Sequence, residues 1–182
     1  PSAIEGALRD GTERRRMENA LQESERQYRG VIENLQDAYY RADKDGTIVM
    51  ASPSAADMTG YGSVDEVIGM NLARDLYMDP LQRAEFLEAI TKTGSVKNYE
   101  ALLKKKDGTP FIVSTSAHVF TDAGGNVLGI EGIAKDITER KRTEEALKKS
   151  EEKFRTILDT TSEWIWEMDT KGRHNYTNPA CE

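Results

Sequence analysis

The sequence predicts an α+β fold: a five-stranded antiparallel sheet with short helices on one face, flanked by long linker helices. Three observations predict it. Strand-like and helix-like runs follow one another as strand, strand, helices, strand, strand, strand. Adjacent strand runs are joined by turn sequences, Asp43-Lys44-Asp45-Gly46, Asp107-Gly108 and Asp122-Ala123-Gly124-Gly125-Asn126, so the pairings are hairpins. The same pattern also begins a second time near the end of the chain.

Taken in order, residues 11–35 read as a linker helix. Met17, Leu21, Ser24, Tyr28, Val31 and Leu35 fall at alternating four- and three-residue steps, which is the seam of a heptad. Asp37–Ala42 and Thr47–Ser52 form the first hairpin. Ser52-Pro53 opens a short helix, proline being tolerated in the first turn, and Thr59-Gly60 closes it. A further helical turn covers Val64–Val67. A longer helix runs from Asp79-Pro80 to Thr93, and Leu81, Ala84, Phe86 or Leu87, and Ile90 form its apolar stripe. Val96–Lys105, Phe111–Phe120 and Val127–Ile137 complete the sheet; Phe111, Val113, Thr115, Ala117 and Val119 share one face of the middle strand. Residues 138–160 read as a second linker helix.

When the chain is slid so that Glu18 falls on Glu144, the two ends match without a gap. Ile4-Glu5-Gly6 falls on Ile130-Glu131-Gly132, Thr12-Glu13-Arg14 on Thr138-Glu139-Arg140, and Ala20-Leu21 on Ala146-Leu147. Farther along, Asp43, Gly46 and Pro53 fall on Asp169, Gly172 and Pro179. About 17 of the ~56 overlapping positions are identical, against roughly 3 expected from average residue usage. A shared linker helix accounts for part of this, but not for the turn glycine or the helix-opening proline. The organisation expected is therefore the last strand of an upstream unit in residues 1–10, a complete unit in 36–137, and the start of a downstream unit in 161–182.

Composition limits the functions. A net charge of −7 and a pI near 5.1 disfavour nucleic acid, whose phosphates require clustered Lys and Arg. Arg14-Arg15-Arg16 and Lys104-Lys105-Lys106 are basic runs, but acidic residues surround both. The single cysteine, Cys181, forms no intramolecular disulfide. No apolar run is long enough to span a membrane, and the first thirty residues lack a signal peptide's apolar core. A cytoplasmic segment without membrane contact is expected, with a parent protein that could itself be anchored.

Catalytic signals are missing too. His118 and His174 lack the neighbours of a phosphoacceptor box, Gly124-Gly125-Asn126 is a hairpin turn, and neither a phosphate-binding glycine loop nor a metal-ligand spacing occurs. A non-catalytic chain is expected.

The motifs Asp43-Lys44-Asp45-Gly46-Thr47-Ile48, Ser52-Pro53-Ser54-Ala55, Thr59-Gly60-Tyr61, Val67-Ile68-Gly69, Lys106-Asp107-Gly108-Thr109, and Gly129-Ile130-Glu131-Gly132 through Asp136-Ile137-Thr138-Glu139-Arg140 are each short. In this order and spacing they resemble the PAS family with its C-terminal PAC stretch, over about residues 29–142. The resemblance implies the PAS fold, whose sheet cups a small pocket beneath the helices, and a signal that leaves through the last strand into the following helix. It also implies a tandem array feeding an output domain, a histidine kinase or a cyclic-dinucleotide enzyme.

The candidate pocket lining is Tyr40, Met50, Met58, Phe86, Ile90, Tyr99, Val113, Thr115 and Ala117. Haem-binding relatives carry a His on the long helix and photochemical flavin relatives a Cys near the second, and this sequence has neither there, so haem and a cysteine-linked flavin are not expected; the pocket's cofactor, if any, stays unassigned. The candidate relay is Asp136-Ile137-Thr138, where Asp or Thr also caps a helix start. A homodimer is expected along the helix seams, at Leu21 and Tyr28 and again at Leu147 and Phe154. A scaffold that holds partner proteins without sensing anything is the competing reading.

Overall fold

The computed structural model describes residues 2–161 and 163–178, with side chains from position 14 onward. It divides into two units, residues 1–137 and 138–182.

The first unit opens with helix α1 (Ser2–Glu33), followed by strands β1 (Ala38–Asp43) and β2 (Ile48–Ala51). Next come α2 (Pro53–Thr59), α3 (Val64–Val67), a π-helical turn at Leu72–Leu76, and α4 (Pro80–Thr93). Strands β3 (Ser95–Lys104), β4 (Pro110–Thr121) and β5 (Val127–Asp136) finish it. The five strands form one antiparallel sheet in the order β2-β1-β5-β4-β3. The first and last hairpins thus meet at the centre, and β5 has a neighbour on each side.

That central position explains the glycines of the Gly129-Ile130-Glu131-Gly132 motif. A Cβ at Gly129 would lie 2.0 Å from the carbonyl oxygen of Ala42, and one at Gly132 would lie 2.6 Å from that of Ser116. Only the bare backbone fits there.

Two expectations change. The sequence match makes residues 1–10 a strand, yet the helix begins at Ser2. The matching segment, β5, is extended because β1 and β4 hydrogen-bond to it. Without such neighbours, Ala3, Ala7, Leu8 and Arg9 follow their own helix propensity. The stripe of α4 is also rotated. Arg83, Phe86 and Ile90 are its buried residues, whereas Leu81 and Leu87 are exposed. The buried face has the spacing of a helix stripe, with an arginine where an apolar residue was counted.

The helix ends follow local chemistry. Ser52 caps α2 by accepting from the Ala55 amide, Asp79 caps α4 by accepting from Leu81, and Gly60 and Gly94 close the two helices in the left-handed region. The core has two parts. One lies between α2, α3, the π turn and the inner faces of β1–β5, with Ala134 as the contribution of β5; the other is Phe86, Ile90, Ala117 and Ile130 under α4.

The second unit consists of α5 (Thr138–Thr160) and a hairpin of β6 (Trp166–Met168) and β7 (His174–Thr177). Asn178 is fully buried; its carboxamide accepts from Ile165 N–H and donates to the carbonyls of Leu158 and Glu163, fastening the hairpin to the end of α5.

The turns of β1–β2 and β6–β7 are the same object. Asp43 Oδ1 accepts from the amides of Asp45 and Thr47, and Asp169 Oδ1 from those of Lys171 and Arg173. Gly46 (φ 82°) and Gly172 (φ 76°) supply the left-handed step.

Candidate functional site

Between the sheet and the short helices lies a cavity of about 50 Å³. Tyr40 reaches it from β1, Met58 from α2, Tyr77 from the end of the π turn, Arg83 from α4, and Val113 and Thr115 from β4. Strand alternation aims the sheet residues inward, since Ala38, Tyr40 and Ala42 alternate with Tyr39 and Arg41 along β1.

The nine residues expected to line one pocket separate into three groups. Tyr40, Met58, Val113 and Thr115 line the cavity. Phe86, Ile90 and Ala117 build the second core cluster, with Tyr99 edge-on to Phe86 at a centroid distance of 5.2 Å and in contact with both clusters. Met50 pairs with Arg41 across a bulged hairpin and does not border the cavity. The bulge between Arg41 and Ala42 shifts the alternation of β2, a change that no feature of the sequence announces.

The polar groups of the cavity are largely committed. Thr115 Oγ1 donates to the Ile133 carbonyl at 3.0 Å and lies 3.4 Å from the Tyr40 hydroxyl. Thr59 Oγ1 donates to the carbonyls of Ala55 and Ala56. Burial raises the Tyr40 hydroxyl above the ordinary tyrosine value. Burial also pushes Tyr77 up, to about 12, although the positive charge of the neighbouring Arg83 opposes the rise.

Arg83 is the member that the sequence reading missed. It is 4% exposed, and its guanidinium carbon lies 4.9 Å from the centroid of Phe86 and 5.6 Å from that of Tyr77. Among the described residues, no carboxylate is within ion-pairing distance of it. Cation–π contact with two rings returns about 2 kcal/mol or somewhat more when desolvated. Removing an ion from water costs several kcal/mol. The one available signal was positional: Arg83 precedes Phe86 by three residues and Ile90 by seven, so it shares their helix face.

The opposite face of the sheet carries a polar cluster. Glu131 on β5 accepts from Tyr39 Oη at 3.0 Å and Arg41 Nε at 2.7 Å, while His118 Nε2 lies 3.0 Å from its other oxygen. Arg41 also stacks on Phe120 at 4.7 Å. Burial pushes the Glu131 carboxyl up, but the hydrogen bonds from Arg41 and Tyr39 and the nearby positive charges outweigh it and hold the group below its ordinary range. Burial and the bonds to Tyr28 and Glu131 raise the Tyr39 hydroxyl well above its ordinary value.

Tyr28 was expected in the helix seam. Its hydroxyl lies 3.4 Å from that of Tyr39, which ties the end of α1 to this outer cluster. Of the other seam residues, Met17, Leu21 and Val31 on α1 and Leu147 and Phe154 on α5 are exposed apolar side chains, Ser24 is exposed and polar, and Leu35 is half-buried.

At the exit of the sheet, Asp136 is paired opposite Val113, and Ile137 is buried with its amide donating to the Ile112 carbonyl at 2.9 Å. Thr138 is the first residue of α5. Cys181 lies outside the described residues. Among those described, no group of three His, Cys, Asp or Glu is placed to hold a metal, and no helix is long and apolar enough to cross a membrane.

A family model described as the PAS fold matches residues 26–137. The chain is 30% identical over 169 residues to the uncharacterized protein y4lL of Sinorhizobium fredii, aligning 92% of itself with 20% of that protein. It is 32% identical over 130 residues to the methyl sulfide methyltransferase-associated sensor of Methanosarcina acetivorans, aligning 70% of itself with 13% of the sensor. The chain thus spans a fifth or less of these relatives. Among solved structures, the PAS domain of an HTR-like protein from Haloarcula marismortui superposes with a TM-score of 0.53 at 25% identity, over 68% of this chain and 99% of that one. The strand order, the cupped cavity and the match over 26–137 make this chain a member of the PAS family, and its matched domain a sensory module related to the PAS sensors of bacteria and archaea.

Proposed function

We propose that this chain is a cytoplasmic sensory segment of a multidomain signalling protein, in which occupancy of the core cavity is passed through Asp136-Ile137-Thr138 into α5 and on to an output domain. A histidine kinase is the output we favour, with a diguanylate cyclase as the alternative. The observation that carries the reading is the position of β5. It is the strand flanked by β1 and β4, its Ala134 borders the cavity, and three residues later the buried Ile137 leads into α5. A change in the packing of Ala134 has a short covalent path to the helix.

The array of units belongs to the same proposal. Every pairing of the first hairpin has its counterpart in the second: Tyr40 with Ala51 and Trp166 with Thr177, Arg41 with Met50 and Glu167 with Tyr176, Ala42 with Ile48 and Met168 with His174. The register shift falls at the same place in each. This agreement supports reading residues 161–182 as the start of a second sensory unit. The upstream unit rests on the sequence match alone. Dimerisation along the seams at Leu21 and Leu147 fits their exposure.

The rival class, an interaction scaffold, is separated by thermal shift with a panel of neutral and charged metabolites. A ligand that binds the folded state raises the melting temperature. The sensory reading expects at least one saturable rise that a cavity-filling variant such as Ala55→Leu removes. The scaffold reading expects none across the panel.

A further inference from the structure

We infer that the core cavity binds a small monocarboxylate of two to four carbons, with its carboxylate on Arg83 and Tyr77 and its alkyl end against Met58, Val113 and Ala134. The inference rests on the sensory reading above and names the ligand's chemistry. The first argument is charge. Arg83 is buried, borders the cavity and has no carboxylate within ion-pairing distance among the described residues, and no acidic side chain lines the cavity. Aromatic faces offset only part of the desolvation of a guanidinium, so an anion at this place would complete a site that is otherwise one charge short.

The second argument is the inventory of protons. The hydroxyls of Thr59 and Thr115 already donate to backbone carbonyls, and Tyr40 is beside Thr115. Among the described residues the Tyr77 hydroxyl makes no hydrogen bond, and the Arg83 guanidinium carbon lies 5.6 Å from its ring centroid, so Tyr77 has its own proton to give beside Arg83. The groups with donors to spare are therefore Arg83 and Tyr77, two adjacent donors suited to the two oxygens of a carboxylate.

The third argument is size. A water-sized centre occupies roughly 10–15 Å³ on this measure, so about 50 Å³ has room for only a few heavy atoms. That excludes a flavin or a nucleotide in this conformation. The remaining lining (Met58, Val113, Ala134 and their neighbours) is apolar, which suits a short alkyl chain and disfavours a second charge.

The test compares sodium propionate, propionamide, 1-propanol and sodium chloride on the complete chain, read by melting temperature and by methyl NMR signals of Met58 and Val113. Propionate is expected to bind saturably with a dissociation constant at or below about 1 mM, to shift those methyl signals, and to exceed propionamide and 1-propanol by about tenfold. Arg83→Met should abolish that preference. If Arg83→Met does not fold, Tyr77→Phe replaces it, with a partial loss expected, and the wild-type comparison decides by itself. Equal binding of propionate and propionamide would overturn the anion assignment and leave a sensory cavity intact. No saturable effect with acetate, propionate or butyrate would also overturn it, while the neutral members of the metabolite panel judge the sensory reading separately.

Discussion

The two hairpins, β1–β2 and β6–β7, have the same turn, pairing and bulge, yet very different surroundings. In the first, the Ser52 hydroxyl accepts from the Tyr39 amide and the Ser52 amide donates to the Tyr39 carbonyl. In the second, Asn178 Oδ1 and the Asn178 amide make the same two bonds to Ile165. What differs is what lies beyond. Ala38, Ala42 and Ile48 are buried in the core, whereas Trp164, Met168 and His174 at the corresponding places are exposed, as is Trp166, the counterpart of Tyr40, by 49%. Hairpin geometry is thus written in a few local residues, and burial is conferred by partners distant in sequence. An isolated hairpin is only marginally stable in water.

The largest contrast should appear at Tyr40 and Trp166. Tyr40→Ala removes a cavity-lining ring and is expected to cost about 3 kcal/mol in denaturant unfolding of the 36–137 domain. Trp166→Ala should move that same transition by less than about 0.5 kcal/mol. Equal losses would mean that the second hairpin already has a core. A smaller contrast is expected at the bridging residues. Ser52→Ala removes the α2 cap and a bond to β1 and should cost about 1–2 kcal/mol. Asn178→Ala should fray β6–β7 in amide exchange and leave the domain's transition in place.

The helices before each hairpin permit a third comparison. Leu21 and Leu147 are at matching places, both exposed. Leu147→Glu puts a charge into an apolar seam, so sedimentation should show self-association weakened about tenfold or more with the sheet unchanged. An unaltered dimer would move the interface to the outer sheet face around Ile112, Ser114, Ser116 and His118.

The smallest effect is electrostatic. Arg41 and Tyr39 of the first hairpin hold Glu131 of β5, while the residue matching Arg41 in the second hairpin is Glu167. Since the folded carboxyl is held below its ordinary value of 4.5, it stabilises the fold above that pH. The contribution is lost as pH falls through the lower, folded-state value, because the unfolded chain takes up the proton first. Between pH 6 and 3.5, Glu131→Gln should therefore flatten the fall in melting temperature relative to wild type. Parallel curves would show that the cluster contributes no pH dependence.

The sheet was legible because its turns, caps and strand alternation are local: Asp43-Lys44-Asp45-Gly46, Ser52-Pro53 and the run from Phe111 to Val119 each specify their own conformation. The ends were less legible for the same reason, since residues 1–10 copy a strand sequence without the neighbours that keep it extended. The cavity was legible in outline through Tyr40, Met58, Val113 and Thr115. Arg83 was hidden because hydropathy counts arginine as surface, whereas α4 turns it inward between two rings. The π turn at Leu72–Leu76, which brings Leu72, Leu76 and Tyr77 to the cavity, has no period that pattern reading detects.

The relay from cavity to α5 is tested most directly by filling the cavity from a distant element and reading the exit. Ala55→Leu on α2 occupies part of the space and overpacks the core at a cost of about 1–3 kcal/mol. Amide exchange is then followed at Ile137, whose N–H bonds to the Ile112 carbonyl, and in the first turn of α5, with each rate scaled to the global unfolding rate. The account predicts that the scaled rates at Ile137 and the first turn of α5 change by about threefold or more, while those of the β3–β4 turn stay constant. A change confined to α2 and β1, with Ile137 and α5 unmoved, would contradict it.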